Sequence, residues 1–250
     1  MLKSRFIDDT KLEVGLDEAG RGSFWGPLMA GAVILPAQSS WSEQHIAIFS
    51  QIKDSKKISP KKRIILANDI KRLAISWAVG TVSASDLDTN GISWTNQEAF
   101  CRAVCGLKVS YDRLIIDGTM KISDTIMSVL PSTTEQYTTI DGDASYLHIA
   151  AASILAKVEH DTWIEQYCKD DIQCETRYNL LSCKGYGTAK HIHGITIYGY
   201  HKHHRLSFIY KYIPDKYKDI HVRTIVSDIS SKTSHKHRSS NKCLIQLTPV

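Results

Sequence analysis

The sequence predicts an α/β fold: a mixed sheet, with three antiparallel strands plus parallel strands, flanked by helices and followed by a helical C-terminal part. Three observations predict it. The first third of the chain carries three short apolar runs with one helical stretch among them, the pattern of antiparallel pairing. Two later strand-like segments are separated by helical patterning, as strands added in parallel must be. A long alanine-rich stretch of helical period then precedes glycine-rich and polar sequence.

The elements follow in order. "KLEVGLD" alternates, with Leu12, Val14 and Leu16 on one side and Glu13, Gly15 and Asp17 on the other. "LMAGAVILP" and "ISWAVGTVS" read as the second and third strands. Between them, Ser59-Pro60 has the form of an N-cap and first-turn proline opening "PKKRIILANDIKRLA". Thr95 and Glu98 have capping-box spacing, predicting a helix from there to about Val109. "DRLIIDG" is a strand ending in Asp117, and "EQYTTID" is another leading to Asp143. A helix is expected from about Ser145 to Cys168, with Leu147, Ala151, Ile154 and Val158 at helical spacing. "CKGYGTAKHIHGI" then reads as a loop before a short helix. Residues 1–213 are expected to form one domain, and 214–250 a loosely ordered, polar and basic tail.

Composition bounds the function. With 42% hydrophobic and 23% charged residues, the chain has the make-up of an ordinary globular protein. Its longest apolar runs are too short to span a bilayer, and Asp8 and Asp9 stand where a signal peptide needs apolar residues. The six cysteines include no Cys-x-x-Cys pair, so reduced thiols in a cytoplasm are expected. A monomer without membrane contact is expected as well. The formal charge of +5 is uneven: Lys232, Lys236, Arg238 and Lys242 lie in a stretch from Ser230 onward that holds no acid. Such a tail suits either nucleic-acid contact or simple solvation.

Acids recur at strand ends: the pair Asp17-Glu18, then Asp117, then Asp143. A strand-end aspartate alone is more often a turn residue than a ligand. Several on one sheet rim repel one another unless a cation lies between them, and oxygen donors select Mg²⁺ or Mn²⁺ over zinc. Neighbouring strand residues point to opposite faces, so the pair is expected to converge by the strand ending at Asp17, with Gly20 and Gly22 freeing the turn. Asp161 lies four residues after Lys157 and reads as half of a surface pair. "GRGSFWG" matches no dinucleotide fingerprint. Cys168, Cys174, Cys183, His191 and His193 fit no zinc spacing, and Cys101 and Cys105 read as core thiols.

"GLDEAGRG", "DSKKISPKKR", "IIDG", "IAAASILAKVEHD", "KGYGT" and "HHRLSF", in this order from Leu12 to Phe208, resemble ribonuclease HII. Sixteen residues precede Asp17, which favours that type over ribonuclease HIII with its additional N-terminal domain. The resemblance implies a ribonuclease H-like fold and Mg²⁺- or Mn²⁺-dependent cleavage of RNA in RNA–DNA hybrids. It extends to incision 5′ of single ribonucleotides in duplex DNA, leaving 3′-hydroxyl and 5′-phosphate ends, with two cations acting in the reaction. It implies Asp17, Glu18, Asp117 and Asp143 as the catalytic metal ligands, and Gly20, Arg21, Gly22 and Tyr186 as the residues at the ribose 2′-hydroxyl. Lys56 and Arg205 are expected on phosphates.

The sequence departs from the family pattern at three places, one being a longer segment between Asp117 and Asp143 than is common in bacterial members. Phe24-Trp25 follows the glycine–arginine–glycine, where a proline is usual, and Asp141 stands two before Asp143, where a lysine is common. Two other classes remain open on sequence grounds. A non-catalytic module would bind hybrid duplexes in chelator, and a nuclease of another specificity would cut all-DNA substrates.

Overall fold

The computed structural model describes residues 2–127, 130, 134–218 and 224. Five strands form one sheet: β1 (Glu13–Ala19), β2 (Leu28–Ile34), β3 (Ser76–Val82), β4 (Arg113–Asp117) and β5 (Glu135–Thr139). Their order is β3-β2-β1-β4-β5. β1, β2 and β3 pair antiparallel, whereas β4 and β5 add in parallel to β1, as the spacing of the strand-like segments predicts. Helices α1 (Glu43–Phe49) and α2 (Pro60–Leu73) join β2 to β3, and α3 (Ala84–Asn90) and α4 (Ile92–Cys105) join β3 to β4. The short α5 (Asp124–Met127) precedes β5, and α6 (Leu147–Asp170) follows it.

Alternation along the strands sorts the sheet into two faces. Val14, Leu16, Leu114 and Ile116 join Phe100 and Val104 of α4 in one core. Val33 meets Leu66 and Ile70 of α2 and Ala151 and Leu155 of α6 in the other. Gly15 and Gly31 lie under α6, where a β-carbon would run into the main chain at His148 and Ala152. Glycine is thus what lets the helix lie directly on β1 and β2. Towards the opposite rim from the acid pair, buried Arg113 pairs with Glu13 at 3.3 Å and with Asp9, tying the N-terminal segment down.

A third core gathers α7 (Ile172–Tyr178), α8 (Leu180–Cys183), α9 (Ala189–Tyr198) and α10 (Leu206–Ile209) around Trp25, which is fully buried. This is the expected helical C-terminal part. Pro214 to Lys218 still belong to it: the Tyr217 hydroxyl donates to the Ile197 carbonyl at 2.8 Å, so the packed chain passes the boundary expected at 213. The remainder of the expected tail lies outside the described residues, apart from Thr224. Among the described residues no helix is long and apolar enough to cross a membrane.

Three local readings change. α4 starts at Ile92, not Thr95, because Gly91 at φ 82° breaks α3 from α4; the Thr95 hydroxyl donates back to the Gly91 carbonyl at 2.9 Å inside the helix. It ends at Cys105, short of the expected Val109. Pro60 opens α2 as read, but the Ser59 side chain makes no cap hydrogen bond. And β1 does not end at Asp17: it runs through Glu18 to Ala19, paired with β2 as far as Ala19 opposite Met29.

Candidate metal centre

Since β1 continues past the acid pair, Asp17 and Glu18 do point to opposite faces. Asp17 shares the Gly15 face, and its carboxylate is hydrogen-bonded by Ser153 of α6. Glu18 lies on the other face, where the Asn96 side chain of α4 donates to it and Arg21 approaches to 3.5 Å. The pair converges at the end of the sheet, through the residue next door. β1 and β4 are parallel with Leu16 opposite Ile116, so Asp117 follows Ile116 at the level of Asp17. The Asp117 charge acts on both members of the pair.

Asp143 enters from a 3-10 turn, Gly142–Ala144, at the end of β5. Gly142 donates its amide to Asp117 at 2.6 Å, and a side chain at Gly142 would meet Ile149, Thr139 and Asp117. The turn is entered through Asp141 in the left-handed region, φ 53°. The Asp141 charge acts on both Asp117 and Asp143, while Lys56 opposes it at Asp143. The structure therefore brings Asp17, Glu18, Asp117 and Asp143 together, with Asp54 and Asp141 in the surrounding field.

All four carboxyls are held above their ordinary range. Burial is the largest cause for each. Mutual repulsion follows: Glu18 and Asp117 raise Asp17, and Asp117 raises Glu18 and Asp143. A cluster of buried, mutually repelling carboxylates with only oxygen donors fits a hard divalent cation.

A loop lies beside the acids. Gly20 has φ 78°, and a β-carbon there would strike the His160 ring. Its amide donates to the Tyr186 hydroxyl. Tyr186 itself is 37% exposed, with the Lys157 ammonium 5.5 Å from its ring centroid. The segment carrying it pairs with the loop: Phe24 donates its amide to Gly185 at 2.8 Å, and Gly185 (φ 79°) leaves no room for a side chain against Ser23. The Phe24-Trp25 departure anchors the loop, since Trp25 fills the third core and Phe24 packs on Gly187. Lys56 is exposed on the rim, its charge acting on both Asp143 and Tyr186. Asp161 pairs with Lys157 at 2.8 Å as read, but the pair is largely buried rather than on the surface, and Arg63 joins it at 3.5 Å.

Arg205 corrects an expectation. It is fully buried, and its guanidinium donates to three carbonyls: Gly20 at 2.6 Å, Arg21 at 3.1 Å and Gly26 at 3.0 Å. A buried guanidinium engaged with main chain braces the loop and is not available to a phosphate.

The histidines form a directed chain. The His201 amide donates to His204 Nδ1 at 2.8 Å, so neutral His204 carries its proton on Nε2. That proton meets His191 Nε2 at 3.0 Å, which leaves His191 to donate from Nδ1 to the Tyr186 carbonyl at 3.0 Å. Burial keeps both rings neutral. Of the cysteine–histidine group, Cys183 and His191 approach to 3.7 Å, and Cys168, Cys174 and Cys183 share the third core. A different trio, Asp171, Cys174 and His201, brings its donor atoms within 4.8 Å. There Cys174 donates to Asp171 at 3.2 Å, and burial pushes its thiol up to about 12. His201 Nδ1 accepts the His203 amide, so its Nε2 carries the proton. Cys174 and Asp171 are bonded to each other and the His201 ring to the His203 amide, so the trio is not a vacant ligand set.

Sequence reasoning missed Ser153, Asn96, His160 and Asp54. Each is an ordinary polar residue in a helix or loop, and only the fold turns it towards the site.

Comparisons with known proteins give a family and a fold. The family model described as Ribonuclease HII matches residues 14–211. A ribonuclease HII of Prochlorococcus marinus is 40% identical over 197 residues, covering 79% of this chain and 95% of that one. Among solved structures, the ribonuclease H2 of Pyrococcus horikoshii OT3 superposes with a TM-score of 0.62 at 21% identity, over 88% of this chain and 99% of the other. Bst-RNase HIII in complex with Mn²⁺ matches at a TM-score of 0.54 and 17% identity, over 75% and 70%.

Proposed function

The chain belongs to the ribonuclease HII family, a metal-dependent endoribonuclease by that membership, and from this premise we propose that it cleaves 5′ of single ribonucleotides in duplex DNA as well as within RNA–DNA hybrids. The products are 3′-hydroxyl and 5′-phosphate ends. The observation that carries the reading is one juxtaposition: four buried or half-buried carboxylates where β1, β4 and the turn after β5 meet, beside the Gly20–Gly22 loop and Tyr186.

In this reading Asp17, Glu18, Asp117 and Asp143 hold two Mg²⁺ or Mn²⁺ ions, which supply neutralisation of phosphodiester charge and activation of water. The related fold of Bst-RNase HIII, solved with Mn²⁺, supports a divalent cation. Ser153, Asn96 and the Gly142 amide aim the carboxylates, so that little reorganisation remains when substrate arrives. Gly20, Arg21 and Gly22 present main chain to the 2′-hydroxyl, the one group that marks RNA within DNA. The Tyr186 ring lies against the same sugar. Lys56, and Arg21 beyond its contact with Glu18, meet phosphates and fix register without reading bases. The enzyme acts as a monomer in the cytoplasm; the five free cysteines among the described residues suit a reducing compartment.

The test uses end-labelled duplex DNA with one ribonucleotide beside an all-DNA control, in Mg²⁺, Mn²⁺ or chelator. Cutting is expected only with metal and only 5′ of the ribonucleotide. Asp117→Asn, whose amide oxygen still accepts from Gly142, should lower turnover on the order of a thousandfold without loss of fold. Retained activity in that variant, or cutting of all-DNA duplex, overturns the reading.

A further inference from the structure

We propose that Asp88, at the end of α3 and outside the acid cluster, is the residue that positions the ribonucleotide-reading loop, acting through Arg205. The inference rests on the reading of Gly20–Gly22 and Tyr186 given above.

Asp88 is 3% exposed. Its two oxygens accept three hydrogen bonds from consecutive residues: the Leu206 amide at 2.7 Å, the Ser207 amide at 2.9 Å and the Ser207 hydroxyl at 2.6 Å. A buried carboxylate so engaged fixes the main chain of the residue just before, which is Arg205. Arg205 is held on its other side by its own amide, which donates to the Phe24 carbonyl at 2.8 Å. From that fixed point its guanidinium reaches the carbonyls of Gly20, Arg21 and Gly26. The loop is therefore gripped at four carbonyls by a residue whose own placement depends on Asp88.

Charge makes the dependence specific. A guanidinium buried among carbonyls needs a nearby anion, and the Asp88 carboxylate supports the Arg205 charge as Arg205 supports that of Asp88. Asparagine has the shape of aspartate but only one accepting oxygen. In Asp88→Asn the amide group would face a donor from Leu206 or Ser207, and the anion would be gone. A loop displaced by an ångström loses substrate alignment disproportionately. Arg21 carries the displacement onward, since it lies 3.5 Å from Glu18.

The experiment compares the full-length chain with Asp88→Asn and with the milder Ser207→Ala, which removes one donor and leaves both amides. Two readouts are taken: amide hydrogen exchange over residues 20–26, and kcat and KM on the single-ribonucleotide duplex and on a long hybrid. Exchange in that segment is expected to rise at least about tenfold in Asp88→Asn, with a smaller rise in Ser207→Ala. Specificity (kcat/KM) should fall about tenfold or more on the single ribonucleotide and less on the hybrid, where many sites are offered. Unchanged exchange in a folded Asp88→Asn, or equal losses on the two substrates, overturns the proposal. If Asp88→Asn does not fold, Ser207→Ala decides it on the same two readouts. If the unaltered protein cuts no ribonucleotide, the functional reading fails, while the exchange data still decide whether Asp88 holds the loop.

Discussion

Asp17 shows what the site costs at the scale of one residue. Its carboxyl is raised well above the ordinary range by burial, then by Glu18 and Asp117. A raised acid binds its proton more tightly in the folded chain than in the unfolded one. Metal-free stability therefore falls as pH rises from the ordinary carboxylate value through the raised one, then levels off. Asp17→Asn removes that penalty and keeps an oxygen for the Glu18 amide. In chelator, its melting midpoint should exceed that of the unaltered chain by a gap that opens from about pH 4 upward; a gap that is constant or reversed would contradict the burial argument. With Mn²⁺ the order should invert, because the cation replaces the missing countercharge. Asp17, Asp117 and Asp143 were legible in sequence as acids at strand ends. How Glu18 joins them was not, because its route runs over the opposite face past Asn96. Arg205 was misread because its motif, "HHRLSF", looks like an exposed basic stretch; its carbonyl partners at Gly20 and Arg21 lie 185 and 184 positions away.

Elements were readable where periodicity is long. The helix that became α6 showed in its alanine-rich pattern, and four of the five strands in their apolar runs; β5, half-buried and polar, did not. α4 was misplaced because Thr95 and Glu98 imitate a capping box, while the true break is a glycine at positive φ. α7 and α8 went unread because they are short and packed by tertiary contacts around Trp25 and Tyr178. The contact of α6 with β1 and β2 is the element-scale feature that places Ser153 over Asp17. Gly31→Ala would press a methyl group into the Ala152 carbonyl, and neither backbone can yield alone. It should cost about 1–3 kcal/mol, read from the midpoint of urea unfolding. Ordinary stability in that variant would mean that α6 rides on the sheet more loosely than described.

For the whole molecule, charge and order of assembly matter most. The tail's Lys232, Lys236, Arg238 and Lys242 stand outside the described residues, while the packed chain reaches Lys218. A chain ended after Lys218, which also loses Arg223, should keep its fold and cut its substrate, but the slope of log K against log salt should fall by up to about 4.5 units if every cation removed meets a phosphate. An unchanged slope would make the tail a solvated extension.

The grip of Arg205 on the loop at Gly20 also sets a timetable for biosynthesis. The acids are complete once Asp143 has been made, whereas Tyr186 and Arg205 emerge from the ribosome much later. A nascent chain halted after α6 and before Tyr186 carries all four acids and the Ser153 that holds Asp17, with its reading loop unclamped. The chemistry of cleavage is thus built first, and the means of choosing where to cut is added last.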